Sequence, residues 1–131
     1  GRVSHALQGL IDLAPSFLSA AGIPVPGLMQ GVNQLEVWRG QAEKARDHVL
    51  VENRHQPTRV HLRTYIDERY KLTMYRDQEY GEFFDLQEDP GEHRNLWDEP
   101  AAAQAKARVM QRWINAEIKR EPTRMPRIAG A

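Results

Sequence analysis

Residues 59–86 read RVHLRTYIDERYKLTMYRDQEYGEFFDL, and the fold turns on them. Residues 59–66 alternate, with Val60, Leu62 and Thr64 on one face and Arg59, His61, Arg63 and Tyr65 on the other. A period of two belongs to a half-buried strand. Asp67-Glu68-Arg69 is a tight polar turn. The next stretch, 70–76, alternates again, with Tyr70, Leu72 and Met74 opposite Lys71, Thr73 and Tyr75. Residues 77–81 form a second turn, in which Gly81 can take a positive φ. Residues 82–86 supply another strand. Connections this short favour an antiparallel meander. Just upstream, HVLVEN (48–53) is apolar and β-branched enough for one strand more, joined to the meander by a loop over 53–58.

Working outward, Asp89-Pro90-Gly91 is a turn, since Pro presets φ. Residues 92–96 are expected to make a single helical turn that tucks Leu96 and Trp97 under the sheet. Asp98 is expected to cap a helix over about 99–119, with Pro100 in its first turn. Ala103, Ala107, Met110, Ile114 and Ile118 make one helical stripe, with Trp113 beside it, and this stripe is expected to cover the sheet. The proline-broken tail reads as extended. On the N-terminal side, residues 6–11 suit a short strand or a helix end. Asp12 is expected to cap a short apolar helix carrying Leu13, Phe17, Leu18 and Ala21, with Gly22 left-handed at its end. Residues 23–46 are a connector broken by Pro24, Pro26, Gly27 and Gly31, with room for a helical turn at 34–39. The fold class is therefore α+β: a four-stranded antiparallel sheet packed by one long C-terminal helix, over residues 47–131. Residues 1–46 form an N-terminal helix and connector that must pack on something else.

The 131 residues suit one domain with a modest core. Eighteen Lys and Arg balance eighteen Asp and Glu. That balance argues against a non-specific nucleic-acid binder, which needs a basic excess. With no Cys there is no disulfide framework, thiolate metal site or Cys nucleophile. No apolar run reaches the roughly 20 residues of a membrane span, and the first residues lack a signal-peptide layout. The compartment stays open, with a cytoplasmic or periplasmic parent both allowed.

Candidate chemistry is sparse. His5, His48, His55, His61 and His93 show no metal-ligand spacing. Ser4, Ser16 and Ser19 lack a nucleophile elbow, and no glycine loop suits a phosphate. Glu88, Asp89 and Glu92 lack the twelve-residue calcium pattern. Lys119, Arg120, Arg124 and Arg127 read as a solvated or partner-packed extension. The candidate that stands out is Glu52, Asn53, Arg54 and His55. An acid, a base and an imidazole on one inter-strand loop suit an anionic or sugar-like ligand; an ordinary polar hairpin is the plainer reading.

Three stretches together resemble the C-terminal part of a sulfatase of the alkaline-phosphatase-like superfamily. The first is Asp12-Leu13-Ala14-Pro15-Ser16 followed by Gly22-Ile23-Pro24. The second is Arg63-Thr64 with Arg69-Tyr70-Lys71. The third runs from Gly81 through Phe83-Phe84-Asp85-Leu86 to Asp89-Pro90, Glu92 and Asn95-Leu96, similar to the family's Glu-Leu-Tyr-Asp-Leu, Asp-Pro-x-Glu and Asn-Leu signature. They occur in the family's order and cover nearly the whole chain.

The resemblance implies sulfate-ester hydrolysis in a parent enzyme that uses a formylglycine nucleophile and calcium. It implies no catalytic residue and no metal ligand in this chain. Ser4-His5-Ala6-Leu7-Gln8 comes nearest the nucleophile motif, but Gln8 stands where Arg is required. The partners implied are an N-terminal catalytic α/β domain and a sulfate-ester substrate, whose cleft this part would help to shape. Without that domain, Leu13, Phe17, Leu18, Ile23 and Trp38 would expose an apolar patch. The isolated chain is thus expected to self-associate through residues 10–40 or to leave them loosely ordered. A phosphodiesterase or phosphonate monoester hydrolase on the same scaffold, and a non-catalytic binding or oligomerisation module, remain alternatives.

Overall fold

The computed structural model describes residues 3–55 and 59–120. The tail expected over 121–131 and the loop centre at 56–58 lie outside them. Four strands, β1 (His48–His55), β2 (Val60–Asp67), β3 (Tyr70–Tyr75) and β4 (Gly81–Asp85), form one sheet in the order β1-β2-β3-β4 with every pair antiparallel. The meander expected from the alternation is present. Two helices precede it, α1 (Leu13–Ala20) and the single turn α2 (Leu35–Trp38), and α3 (Ala103–Arg120) follows it. Residues 6–9 have no regular form, and Leu10–Asp12 is a 3-10 turn leading into α1.

The register explains the core. Leu50, Tyr65, Leu72 and Phe83 are direct cross-strand neighbours, one per strand, and so stand in a row on one face. Val109, Trp113 and Ala116 of α3 close over that row. Leu72 and Phe83 are wholly buried, each worth about 1.5–3 kcal/mol of transfer free energy. The Tyr65 and Trp113 rings stack at 6.5 Å. The inward stripe of α3 is only partly the one expected: Met110 packs on the core, as expected. Ile114 and Ile118 point outward and are more than half exposed, while Val109, Trp113 and Ala116 face the sheet. Trp113 is the reason, since an indole on the Tyr65 row turns the helix towards its own side and away from the smaller aliphatics.

Two further expectations fail near the helix start. Asp98 does not cap it: Glu99 precedes a 3-10 turn, Pro100–Ala102, that leads into α3. Residues 92–96 are not helical either. Instead Asn95 reads the open edge of β4, accepting from the Phe83 N–H at 2.9 Å and donating to the Gly81 carbonyl at 3.0 Å. The Leu96 N–H donates to the Phe83 carbonyl at 2.7 Å. An edge strand left bare would invite pairing with another chain, and this segment covers it. Gly81 takes no positive φ. It is glycine because a Cβ there would sit 2.3 Å from the Trp97 ring.

The N-terminal region is organised by one carboxylate. Asp12 is fully buried, but its side chain makes no cap bond to α1, contrary to expectation, because the 3-10 turn already occupies the cap position. It turns to the connector instead. It accepts from the N–H groups of Gly9 and Val32, both at 2.8 Å, from Gln34 Nε2 at 3.3 Å and from Arg46 at 2.7 Å. Ser16 extends the network, donating to the Asp12 carbonyl and accepting from the Gln34 N–H. The connector is therefore anchored at Val32, Gln34 and Arg46. Gly22 ends α1 at φ 71°, as expected.

Candidate functional site

The four candidate residues are not on a loop. β1 runs through His55, pairing Glu52 with Arg63, Asn53 with Leu62, Arg54 with His61 and His55 with Val60. Ladder bonds and the Glu52 carboxylate hold this polar stretch in strand form despite its composition. Alternation then splits the candidates in two. Glu52 and Arg54 share the α3 face with Arg63 and His61, whereas Asn53 and His55 lie on the opposite face with Leu62 and Val60.

Glu52 is the hub of the first pair. Its Oε1 accepts from Arg54 Nε at 2.5 Å and from His61 Nε2 at 3.2 Å, with Arg63 at 3.7 Å. Arg63 also reaches Glu117 of α3 at 3.3 Å, and Glu117 accepts from the Trp113 indole at 3.1 Å. Core, helix and candidate site are thus linked through ion pairs. The Arg54 hydrogen bond, ahead of slight burial that opposes it and of the bond from His61, holds the Glu52 carboxyl below its usual range. Glu52 stays ionised and works as an acceptor.

Sequence reading passed over Arg59 and Arg76. Together with Arg54, His55 and His61 they line a cleft of about 540 Å³ whose one carboxylate is Asp77. Arg59 and His61 had been placed on one face of a strand but given no chemistry. Arg76 had been left at the end of a strand. Only the register, which sets β1, β2 and the end of β3 side by side, brings them together.

A second cavity, of about 620 Å³, lies between the N-terminal segment and the sheet. Its four cations, Lys44, Arg46, Arg69 and Arg112, are matched by carboxylates through direct ion pairs. Tyr65 borders it, and burial pushes its hydroxyl up to about 12, so it remains a neutral phenol. Burial, helped by Arg46, likewise lowers the pKa of the nearby His48. This cavity is internally neutralised. Among the described residues, no three His, Asp or Glu side chains converge as a cation's ligand set.

A family model, "N-sulphoglucosamine sulphohydrolase, C-terminal", matches residues 1–119. The chain belongs to this sulfohydrolase C-terminal family. Among curated relatives, the Delta 4,5-hexuronate-2-O-sulfatase of Bacteroides thetaiotaomicron is 32% identical over 102 residues, which make up 75% of this chain and 21% of that protein. A solved 2-O GAG sulfatase matches 83% of this chain and 24% of its own, at 28% identity and a TM-score of 0.73. The phosphonate monoester hydrolase of Silicibacter pomeroyi shares the fold, with 21% identity and a TM-score of 0.70 over 86% of this chain and 25% of its own. The chain spans about a fifth of the length of the curated relatives it matches.

The residues that carry the sulfohydrolase signature have structural partners. Arg69 grips Asp85 through two nitrogens, at 3.0 and 2.8 Å. Lys71 meets Glu92 at 2.5 Å, and Asn95 binds the edge of β4. The second and third signature stretches therefore clasp one another. The signature marks the architecture, and the candidate ligand contacts lie at the other end of the strands.

Proposed function

We propose that this chain is the C-terminal subdomain of a sulfuric ester hydrolase and that it buttresses and shapes the substrate cleft. The observation that carries the reading is the match of residues 1–119 to the sulfohydrolase C-terminal family. In this reading the formylglycine nucleophile and the calcium belong to an N-terminal catalytic domain, and no step of the chemistry is assigned to residues of this chain. The apolar side of residues 10–38 supports such a neighbour. Leu10, Ile11, Phe17, Ile23, Leu28 and Trp38 are all at least two-fifths exposed, and the Phe17 and Trp38 rings meet at 5.9 Å. The catalytic domain would cover this face. In its absence, two copies of the chain would pair through it.

Glu52, Asn53, Arg54 and His55 are proposed to reach the alcohol part of the ester. The test places the chain behind its catalytic domain and compares turnover of sulfate esters with phosphate and phosphonate esters. Faster sulfate-ester turnover, altered in its substrate preference by His55→Ala, supports the reading. Preference for phosphonate monoesters would move it to the neighbouring hydrolase class. Unchanged kinetics of H55A on every sulfate ester would remove the four residues from the site. Sedimentation of the isolated chain tests the apolar face: a dimer that Phe17→Ser with Trp38→Gln dissociates is expected, and a monomer at all concentrations contradicts it.

A further inference from the structure

The far end of the sheet gathers basic side chains. Arg54 is paired with His61 across β1 and β2. The Arg76 N–H donates to the His61 carbonyl at 2.8 Å, which carries the register one position beyond Tyr75. Arg54, His61 and Arg76 thus form a row across three strands. Cross-strand neighbours stand about 5 Å apart, so two guanidinium groups flank one imidazole. Arg59 adds a third guanidinium to the same cleft. It sits at φ 55°, in the left-handed region that L-residues rarely adopt, and has no carboxylate within ion-pair distance among the described residues. Arg54 leans on Glu52 and Arg76 on Asp77, but both guanidinium groups stay largely exposed. Three guanidinium groups face one lining carboxylate in a chain whose total charge is zero. By contrast, the cavity near Arg46 is fully compensated.

A second hollow of about 540 Å³ adjoins this one. It shares His61, Arg76, Asp77 and Gln78 with the cationic cleft and adds an apolar wall, the side chains of Met74 and Trp113 on the α3 face, with Arg63 and Glu79 beside them. A groove that is cationic at one end and apolar or aromatic at the other suits a sugar. The C–H face of the ring would lie on the wall, the hydroxyls would meet Asp77 and Gln78, and an anionic substituent would meet the fork of an arginine.

We propose that this groove is a binding subsite for a sulfated sugar, with Arg59 and Arg76 holding the sulfate group. The choice of a sulfated sugar rests on the sulfatase reading above; the cationic row does not. The test is calorimetric titration of the 131-residue chain with three probes: a sulfated uronic-acid–glucosamine disaccharide, its desulfated counterpart and inorganic sulfate. Saturable binding of the sulfated disaccharide, at least ten-fold tighter than its desulfated counterpart, is expected. Arg59→Gly should weaken it about ten-fold or more, the worth of a charge-assisted hydrogen bond, without lowering the thermal midpoint, since glycine relieves the left-handed backbone. Arg76→Glu should weaken it at least as much. Arg94→Glu, in a different cleft beside Asp85 and Glu99, should leave it unchanged.

No saturable binding of the disaccharide overturns the proposal, as does equal loss in the R94E control. Binding of inorganic sulfate with no gain from the sugar would also overturn it, because the apolar wall would then contribute nothing. None of these outcomes depends on turnover. A failed subsite and a failed assignment to the sulfuric ester hydrolases are therefore separate results.

Discussion

Asp12 and Glu52 do similar work at opposite ends of the molecule and with opposite exposure. Each gathers several hydrogen-bond donors from more than one segment of the chain. Asp12 is sealed: two backbone N–H groups, an amide and Arg46 surround it, and no part of it meets solvent. Glu52 holds Arg54, His61 and Arg63 at the rim of an open cleft. A sealed carboxylate with every acceptor position used fixes a fold. An open one, outnumbered by cations, leaves charge for a ligand. The difference separates the part of this subdomain that holds itself together from the part that meets something else.

The largest expected effect comes from breaking the sealed end. Asp12→Ala leaves the Arg46 charge nearly buried and unpaired and strips the Gly9 and Val32 N–H groups of their acceptor. Urea denaturation should show a loss of about 3–5 kcal/mol. Asp12→Asn, which keeps one acceptor oxygen, should lose clearly less. Equal losses would mean that the charge carries the whole effect and the retained acceptor oxygen contributes nothing.

Acid tests the same point. Burial pushes the Asp12 carboxyl up, but the Val32 and Gly9 N–H bonds, the Arg46 charge and the Gln34 amide together outweigh it and leave the pKa below its reference value of 3.8. A depressed folded-state pKa adds stability that is fully present above the unfolded value and is lost as pH falls through the folded one. Protection of the Gly9 and Val32 amides should therefore hold above about pH 4 and decay below it. In D12N this acid step should be absent.

The next effect lies between the two ends. Gly81→Ala drives a methyl into the Trp97 ring and should cost about 1–3 kcal/mol as overpacking. Trp97→Ala in the same chain should recover part of that loss. On α3, Val109→Ala on the buried face should cost about 1–3 kcal/mol, whereas Ile114→Ser on its outer face should stay within about 0.5 kcal/mol. The reverse order would restore the helix face read from the sequence.

That helix shows what a single sequence discloses. Two strands followed from alternation in 59–76, and the antiparallel meander followed from the short connections beside them. The α3 stripe followed only at Met110 and Trp113, because Ala103, Ala107 and Ile114 look as apolar as Val109 and Ala116. The choice between faces was made by Trp113 packing on Tyr65, a contact between residues 48 positions apart. Asp12 read as a helix cap because its neighbours 32, 34 and 46 are remote in the chain. The Glu52–His55 cluster was legible as polar and charged. Its extension to His61, Arg59 and Arg76 was not, since only strand register joins them.

The smallest structural effect should come from the open end. Glu52→Gln should leave the thermal midpoint where it is, because exposed ion pairs contribute little. It should also bind the sulfated disaccharide a few-fold more tightly, since it removes the one carboxylate that competes for Arg54. Weaker binding in E52Q would show that Glu52 positions the arginine rather than competing for it.

Amide hydrogen exchange of the 131-residue chain, with and without the sulfated disaccharide, tests the division between sealed and open ends most directly. The Gly9 and Val32 amides should exchange slowly in both states, while those of residues 59–61 and 76–78 should gain protection only when the disaccharide is present. Ligand-dependent protection around Asp12, or none at the far end of the sheet, would contradict the account.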